Sequence, residues 1–410
     1  MPKSASELTP IFSSPRDIND ATDRAMMEGI TKQFPIETGK YTLSVVDPHV
    51  DKKEYTTADE KDAILQSRSL TYPIRGTLLL HDRATGKLLD RVQNFALADT
   101  FHVTNKHTLL YKGNNYSVAN LMQLRPGVYT RKTNNGELET NINTGKGATF
   151  SLGLDSKSMQ IYFSKINGKT RNIPIAPLLT KGFHLSDSEI QQFVPADVWQ
   201  ANKKLSAGKE DVSLSQLYRV LVDRREQLKD VSPEEMGVAL KKRLAEMTLD
   251  KHTTEVTLGK SFGGIEPETL LRAMRNIVAV YSKKRPEDNR DSLQFKRVQN
   301  LPDFIARRFE ENKQHQTVGK AFDRIKFNLS KLKDDAPSLR EVLPAKPFNK
   351  IYTDFVIGSQ LSSTPDETNP IESIENVGKV TLIAEGEGGM SSERQATMES
   401  RNVHPSNLGI

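Results

Sequence analysis

The spacing of apolar positions changes character along the chain. Tyr41–Val46 alternates apolar and polar residues as a strand does, and Thr77–His81 and Lys87–Val92 flank Asp82-Arg-Ala-Thr-Gly86 as the two arms of a hairpin. Phe101–Val103 and Thr108–Tyr111 predict another pair, with Gly113-Asn-Asn as the turn that follows. Residues 1–40 are mixed and partly helical in texture, with few strand formers between Arg16 and Phe34. From Val128 to Ile175 the pattern stays β. Asn135-Gly136 marks a turn, Ala148–Leu152 and Met159–Phe163 read as strands, and Asn167-Gly168 joins Ile161–Ile166 to Lys169–Ile173. This spacing predicts an antiparallel sheet rather than βαβ units.

After Pro177 the period becomes helical. Leu214, Leu217, Tyr218, Leu221 and Leu228 fall close to one face. Ser232-Pro-Glu-Glu235 is a capping box with proline at the first helical position, and Glu266-Pro267 opens a helix whose apolar face is Leu270, Met274, Ile277, Val278 and Tyr281. Phe304–Lys333 predicts helix in two pieces around Gly319. The last forty-odd residues differ: Gly358–Pro365 and Gly386–Gly389 are loop chemistry, and the run to Ile410 offers no closing helix or strand. Backbone groups in so long an irregular stretch need partners, so a surface completed by another chain is expected there.

A length of 410 residues allows two to three domains. With no cysteine there is neither a disulfide framework nor a thiolate nucleophile or metal ligand. The longest apolar runs are far short of the ~20 residues of a membrane helix, and the first ten residues carry no apolar signal core. The formal charge is +6. Residues 281–350 hold 17 Lys+Arg against 10 Asp+Glu, or +7, so the remainder sums to −1. Such a stretch suits a phosphate-facing surface, and a solvated helical face is the competing explanation.

Candidate chemistry is sparse. The eight histidines are scattered; His102 and His107, five apart near strands, suit surface or turn roles better than metal ligation. Gly259-Lys-Ser261 resembles the end of a phosphate-binding loop, but the position for its first glycine is Thr254. Gly386-Glu-Gly-Gly389 has the glycines of an anion nest beside unfavourable glutamates. The residues alone describe a multi-domain, partner-dependent protein with a basic region and no catalytic set.

Ala345-Lys-Pro-Phe-Asn-Lys-Ile-Tyr-Thr-Asp-Phe-Val-Ile-Gly-Ser-Gln-Leu-Ser362, followed by Asp366 and Asn369-Pro370, resembles the β subunit of multisubunit DNA-directed RNA polymerases. Gly388-Gly389, Glu393-Arg394, Arg401 and Val403-His404-Pro405 follow in the family's order. Upstream, Asp288-Asn-Arg-Asp291 with Lys296-Arg297-Val298, and Phe101–Tyr129 ending in Arg125-Pro-Gly-Val-Tyr129, resemble two further family elements. Arg125 stands one position later than the family's arginine. The family chain continues past His-Pro into Cys-Pro-Ile-Glu, whereas this sequence stops before it, a pattern similar to the divided β subunits of jumbo bacteriophages.

The resemblance implies an α+β, multi-domain fold. A protrusion would be built from 1–120 and 289–360, with a lobe inserted at 121–288 and the start of the fork at 361–410. It implies an N-terminal β fragment forming one wall of the DNA cleft and part of the RNA path. Gln360, Ser363, Asp366, Asn369, Lys379 and Arg394 would line the RNA and hybrid path, with Arg297 and Lys346 as further candidates for DNA contact. Asp366 and Asn369 have an alternative role in holding the loop through side-chain-to-backbone hydrogen bonds. Lys379 replaces the family's arginine, keeping charge but losing the bidentate fork. Ser363 and Asn376 stand where bacterial members carry Gln and His in the rifamycin pocket. The catalytic Mg²⁺ ions would be held by a β′ partner, since the family's Asp-Phe-Asp-Gly-Asp motif does not occur here. Implied partners are a C-terminal β fragment, β′ fragments, template DNA, the RNA transcript and a phage-specific promoter-recognition subunit, with no membrane. The implied setting is the infected host cytoplasm, a phage nucleus-like compartment or the virion. The alternative, from a different class, is a non-catalytic virion structural or nucleic-acid-binding scaffold; a stand-alone phosphate-handling enzyme would rest on Gly259-Lys-Ser261 alone.

Overall fold

The computed structural model describes residues 14–133, 135–145, 148–222, 231–310, 316–332, 338–365, 368–384 and 389. The chain forms two units, Met1–Gln123 with Val298–Ile410, and Leu124–Arg297 inserted between them.

The first unit opens with α1 (Pro15–Thr31), whose capping residue Ser14 accepts from the Asp17 amide at 3.2 Å while Asp17 accepts from the Ser14 amide. Next come β1 (Ile36–Glu37), β2 (Tyr41–Val50), α2 (Thr57–Leu65), β3 (Thr71–Asp82) and β4 (Leu88–Phe101). The four strands make one antiparallel sheet in chain order. In β3 the period-two pattern buries Tyr72, Ile74, Leu78 and Leu80 and turns the intervening residues outward. Then follow β5 (Leu109–Tyr111), β6 (Asn114–Val118) and β7 (Asn120–Leu124). The expected turn at Gly113-Asn-Asn sits one position earlier. Lys112 and Gly113 have φ of 47° and 81°, the two left-handed positions of a tight hairpin, and both asparagines enter β6.

The inserted unit is a five-stranded antiparallel meander followed by helices. Its strands are β8 (Gly127–Lys132), β9 (Leu138–Asn143), β10 (Phe150–Leu154), β11 (Ile161–Ile166) and β12 (Lys169–Pro174), adjacent in chain order. Asn167 and Gly168, at φ 50° and 74°, form the expected turn. After a π-helical turn at Leu178–Gly182 come α3 (Asp187–Gln191), α4 (Ala196–Ser206), α5 (Glu210–Leu221), α6 (Pro233–Ala245), α7 (Lys251–Leu258) and α8 (Pro267–Tyr281). Phe150, Phe163, Trp199, Leu240, Met274 and Ile277 are buried in one core. A Cβ on Gly237 of α6 would stand 2.8 Å from the Gly182 carbonyl oxygen, so only glycine permits this approach. Of the expected apolar face of α8, Tyr281 alone is exposed.

The return into the first unit passes through β13 (Lys296–Gln299), then α9 (Leu301–Glu310), α10 (Gln316–Leu329), α11 (Leu339–Val342), α12 (Asn349–Gly358), β14 (Ser362–Ser363), α13 (Pro370–Gly378) and β15 (Val380–Thr381). Phe101, Phe304, Phe348, Tyr352 and Phe355 belong to this unit's core, and α1 meets α9 so closely that a Cβ on Gly29 would lie 2.3 Å from the Phe309 ring.

Three expectations are corrected. Gly319 does not divide the helical stretch; it lies inside α10, where glycine costs only about 1 kcal/mol and burial of Val318, Ile325 and Leu329 offsets it. The segment after Gly358 is not all loop, for Ser362–Ser363 pairs as a strand and α13 begins at Pro370 with Asn369 as its cap. The insert closes later than residue 288. The Asp288 amide donates to the Thr130 carbonyl at 2.8 Å, the Asp288 carboxylate accepts from the Thr130 amide at 2.8 Å, and Phe295 stacks edgewise on Tyr129 at 5.4 Å.

Candidate nucleic-acid interface

Two successive residues in the first unit hold both ends of one excursion of the chain. The Ala119 amide donates to the Leu361 carbonyl at 2.8 Å, and the Asn120 amide donates to the Lys379 carbonyl at 2.9 Å. On one side β14 pairs antiparallel with β6, Ser362 opposite Val118 and Ser363 opposite Ser117. On the other β15 pairs parallel with β7, Val380 opposite Asn120 and Thr381 opposite Leu121. The Asn120 side chain strengthens the second anchor, its Nδ2 donating to the Val377 and Lys379 carbonyls at 3.3 Å each. These are the carbonyls that the C-terminus of α13 leaves without helical partners. Leu361 and Ala384 are buried and bracket the excursion with apolar contacts.

Four of the expected path residues lie on this excursion. Gln360 is exposed at its start, and Ser363 is exposed on β14. Asn369 caps α13, its side chain accepting from the Ile371 amide at 3.0 Å, which is the loop-holding role weighed for it. Lys379 is exposed at the C-cap of α13. Asn376 is half-buried and lines a small cavity with His107, Ser117, Asn120 and Val377. Asp366 and Arg394 lie outside the described residues.

The two candidates for DNA contact lie elsewhere. Lys346 gives its ammonium to Asp99 at 2.7 Å, and its amide donates to the Ala96 carbonyl at 3.1 Å from a backbone φ of 53°. Its charge is engaged within the fold. Arg297 is half-buried on β13.

The basic stretch from 281 to 350 is divided between the two units rather than laid out on one helix. Within the inserted unit Arg285 pairs with Asp288 at 2.7 Å, and burial nevertheless holds the Asp288 carboxyl above its ordinary pKa. Lys296, its side chain 9% exposed, lies 3.8 Å from Asp291, and burial lowers its pKa. In the first unit Arg307 and Arg308 lie over the Phe304 and Phe355 rings.

Other candidates dissolve into structural roles. Gly259, at φ 74°, is the left-handed cap of α7, and Lys260 pairs with Glu268 at 2.5 Å. The arginines Arg272 and Arg275 donate to the Leu258 carbonyl, so cations rather than a phosphate sit at this helix end. His102 bonds the Tyr72 hydroxyl at 2.6 Å within a cluster that includes Tyr55, and His107 occupies a turn at φ 58°. Of the glycine-rich nest, only Gly389 is described. It is pressed against Ala384 and Leu121, where a Cβ would stand 2.8 Å from the Ala384 nitrogen. Among the described residues no group of three or more His, Asp or Glu could hold a metal ion, and no described helix is long and apolar enough to cross a membrane.

Sequence reasoning passed over Ala119 and Asn120. The available signal was weak: an asparagine, a poor strand former, interrupting the run Tyr116–Met122.

No family model matches the chain. Among curated proteins it is similar to a protein named DNA-directed RNA polymerase subunit beta from Arthrobacter sp. (strain FB24), 24% identical over 427 residues that cover 96% of this chain and 35% of the relative. The protein of the same name from Thermosynechococcus vestitus is 23% identical, covering 96% of this chain and 34% of the relative. That from Desulfosudis oleivorans is 32% identical over 142 residues, 35% of this chain and 10% of the relative. The chain thus spans about a third of the length of the curated relatives it matches.

Proposed function

We propose that this chain is a β-subunit component of a DNA-directed RNA polymerase. The observation that carries the reading is similarity to β subunits along 96% of the chain. The anchored excursion from Leu361 to Lys379 supports it, since it displays Ser363 and Lys379, with Gln360 just before it, at an exposed surface whose two ends are fixed. In this reading Leu124–Arg297 is the lobe and the first unit is the protrusion, with the beginning of the fork. The chain forms a wall of the DNA cleft and part of the RNA and hybrid path, Asp366, Asn369 and Arg394 included, with Arg297 nearer the DNA; Lys346, its ammonium on Asp99, would reach DNA only by giving up that ion pair. The reaction is attack of the RNA 3′ hydroxyl on the α-phosphate of an incoming nucleoside triphosphate, with pyrophosphate leaving. Two Mg²⁺ ions on a β′ partner would supply charge stabilisation at the attacking and leaving oxygens. The finer proposal is that β is divided over polypeptides in the jumbo-phage manner and this chain is its N-terminal part, working in the infected host.

Affinity purification of the native assembly, with mass spectrometry and an RNA-extension assay, tests this. The expected result is a second β polypeptide, β′ chains and template-directed extension. Isolation of the chain with neither polymerase subunits nor extension activity overturns the reading. Recovery with one undivided β chain would overturn only its finer part.

A second prediction concerns rifampicin. Serine and asparagine at 363 and 376 reach less far than the Gln and His of bacterial members and offer different hydrogen-bonding groups. Extension by the purified assembly is therefore expected to continue at drug concentrations that stop a bacterial polymerase. Inhibition at low concentration would contradict the roles given to Ser363 and Asn376.

A further inference from the structure

The inserted unit carries a groove that the polymerase reading does not use. It lies between β12 and α5, has a volume of about 470 Å³, and is lined by Thr170, Arg171, Ile173, Gln216, Arg219 and Val220. That volume is in the range of ligand-binding clefts.

Three observations define what would fit it. First, β12 is the edge of the five-stranded sheet, so one side of its backbone has no neighbouring strand. It pairs with β11 at Ile166–Lys169, Lys165–Thr170, Phe163–Ile173 and Tyr162–Pro174, and the register shifts between Phe163 and Lys165. Asn172, at φ 55°, sits in that irregular stretch. Lys169 to Asn172 are all exposed. Second, the cations are uncompensated: among the described residues neither Arg171 nor Arg219 has an acid partner, and both are exposed at the groove. Elsewhere in this unit Arg272 is held by Glu268 and Arg285 by Asp288. Third, the groove is aliphatic at Ile173 and Val220, and no aromatic ring lines it.

We infer that this groove is a docking site for an acidic, strand-forming segment of a partner protein, seated along β12 with its carboxylates on Arg171 and Arg219. An added strand gains main-chain hydrogen bonds from the edge, while alternate side chains enter the aliphatic floor. Carboxylates suit the planar guanidinium fork. Single-stranded nucleic acid matches the charge but lacks the ring on which a base would stack, so the lining favours a peptide. A cationic, bulged edge also serves simply to prevent sheet-to-sheet aggregation, and the experiment separates this role from docking.

The probe is a fluorescein-labelled peptide of alternating glutamate and valine, titrated onto the full chain and followed by anisotropy, with a benzophenone version for crosslinking. The controls are the lysine–valine peptide and a labelled oligothymidylate. The expected result is saturable binding of the acidic peptide, crosslinks within Lys169–Pro174 or Glu210–Leu221, and binding about tenfold weaker in the double variant Arg171→Glu, Arg219→Glu. Both sites are exposed, so the variants should fold, as circular dichroism will report; Arg171→Lys with Arg219→Lys, which keeps charge but removes the fork, should fall in between. Equal binding of the acidic and basic peptides, an unchanged affinity in the double variant, or tighter binding of the oligothymidylate at the same crosslinked residues overturns the inference. Aggregation of the double variant with no peptide binding by the unmodified chain would assign the cations to edge protection and also overturn it. None of these readouts depends on polymerase activity.

Discussion

Replacing Trp199 with alanine is expected to destabilise the inserted unit by about 3–5 kcal/mol, the usual range for truncating a fully buried large aromatic. The indole has no solvent exposure and belongs to the core shared by the meander and the helices above it. Its Nε1 donates to Asp187 at 3.0 Å, tying α4 to α3. Asp187 is 40% exposed and also paired with Lys203 at 2.6 Å, so losing the indole does not strand a buried charge. The cost comes from the cavity and the lost apolar burial. Because Trp199 is the only tryptophan in the chain, its own fluorescence cannot follow the variant. Amide hydrogen exchange of β10 and β11 in the full chain is the suitable measurement. Trp199→Phe, which keeps most of the ring volume, should retain more than half of the lost protection and remains informative if the alanine variant fails to fold. Protection in Trp199→Ala within about 1 kcal/mol of the unmodified chain would show that the ring does not organise this core.

What could be read in the sequence was what neighbouring residues decide between themselves. Ser232 and Glu235 satisfy each other's backbone donors three positions apart, and Asn167-Gly168 supplies two left-handed residues where the hairpin needs them. Glu266-Pro267 opens α8 by the same local logic. What could not be read depends on residues far apart in the chain. The charge of Lys346 is taken by Asp99, some 247 positions away, so counting it towards a basic surface overstated that surface. The start of α13 was legible in Asn369-Pro370, since a capping side chain before a first-turn proline is a helix signal, yet the loop composition around it masked the signal. The anchoring of the excursion had no local signature beyond Asn120 itself, an asparagine set in a run of strand formers. Nothing near Ala119 and Asn120 announces that Leu361 and Lys379 will meet them, because strand pairing across 240 or more positions is written in shape and burial, not in a motif.

The role of Asn120 in that anchoring leads to the second large effect. The side chain is 7% exposed, and its amide group donates to two carbonyls at the end of α13. Asn120→Ala removes the side-chain donor: the Lys379 carbonyl keeps its bond from the Asn120 amide, while the part-buried Val377 carbonyl loses this partner, at a cost of about 1 kcal/mol. Asn120→Asp is nearly isosteric but sets carboxylate oxygens against carbonyl oxygens, so it replaces attraction with repulsion. The protection of the 379–381 amides in the isolated chain should therefore fall from unmodified to alanine to aspartate. If the excursion positions the RNA path, extension by the assembled polymerase should fall in the same order, by about tenfold or more, because small displacements of a positioned reactant carry such costs. Assembly should be unaffected, since the altered atoms are buried within the unit. Equal exchange in the aspartate variant and the unmodified chain would remove the hydrogen bonds as the anchor. Faster exchange with unchanged extension would keep the anchor and separate it from RNA synthesis, because an excursion that moves without consequence for the transcript does not hold it.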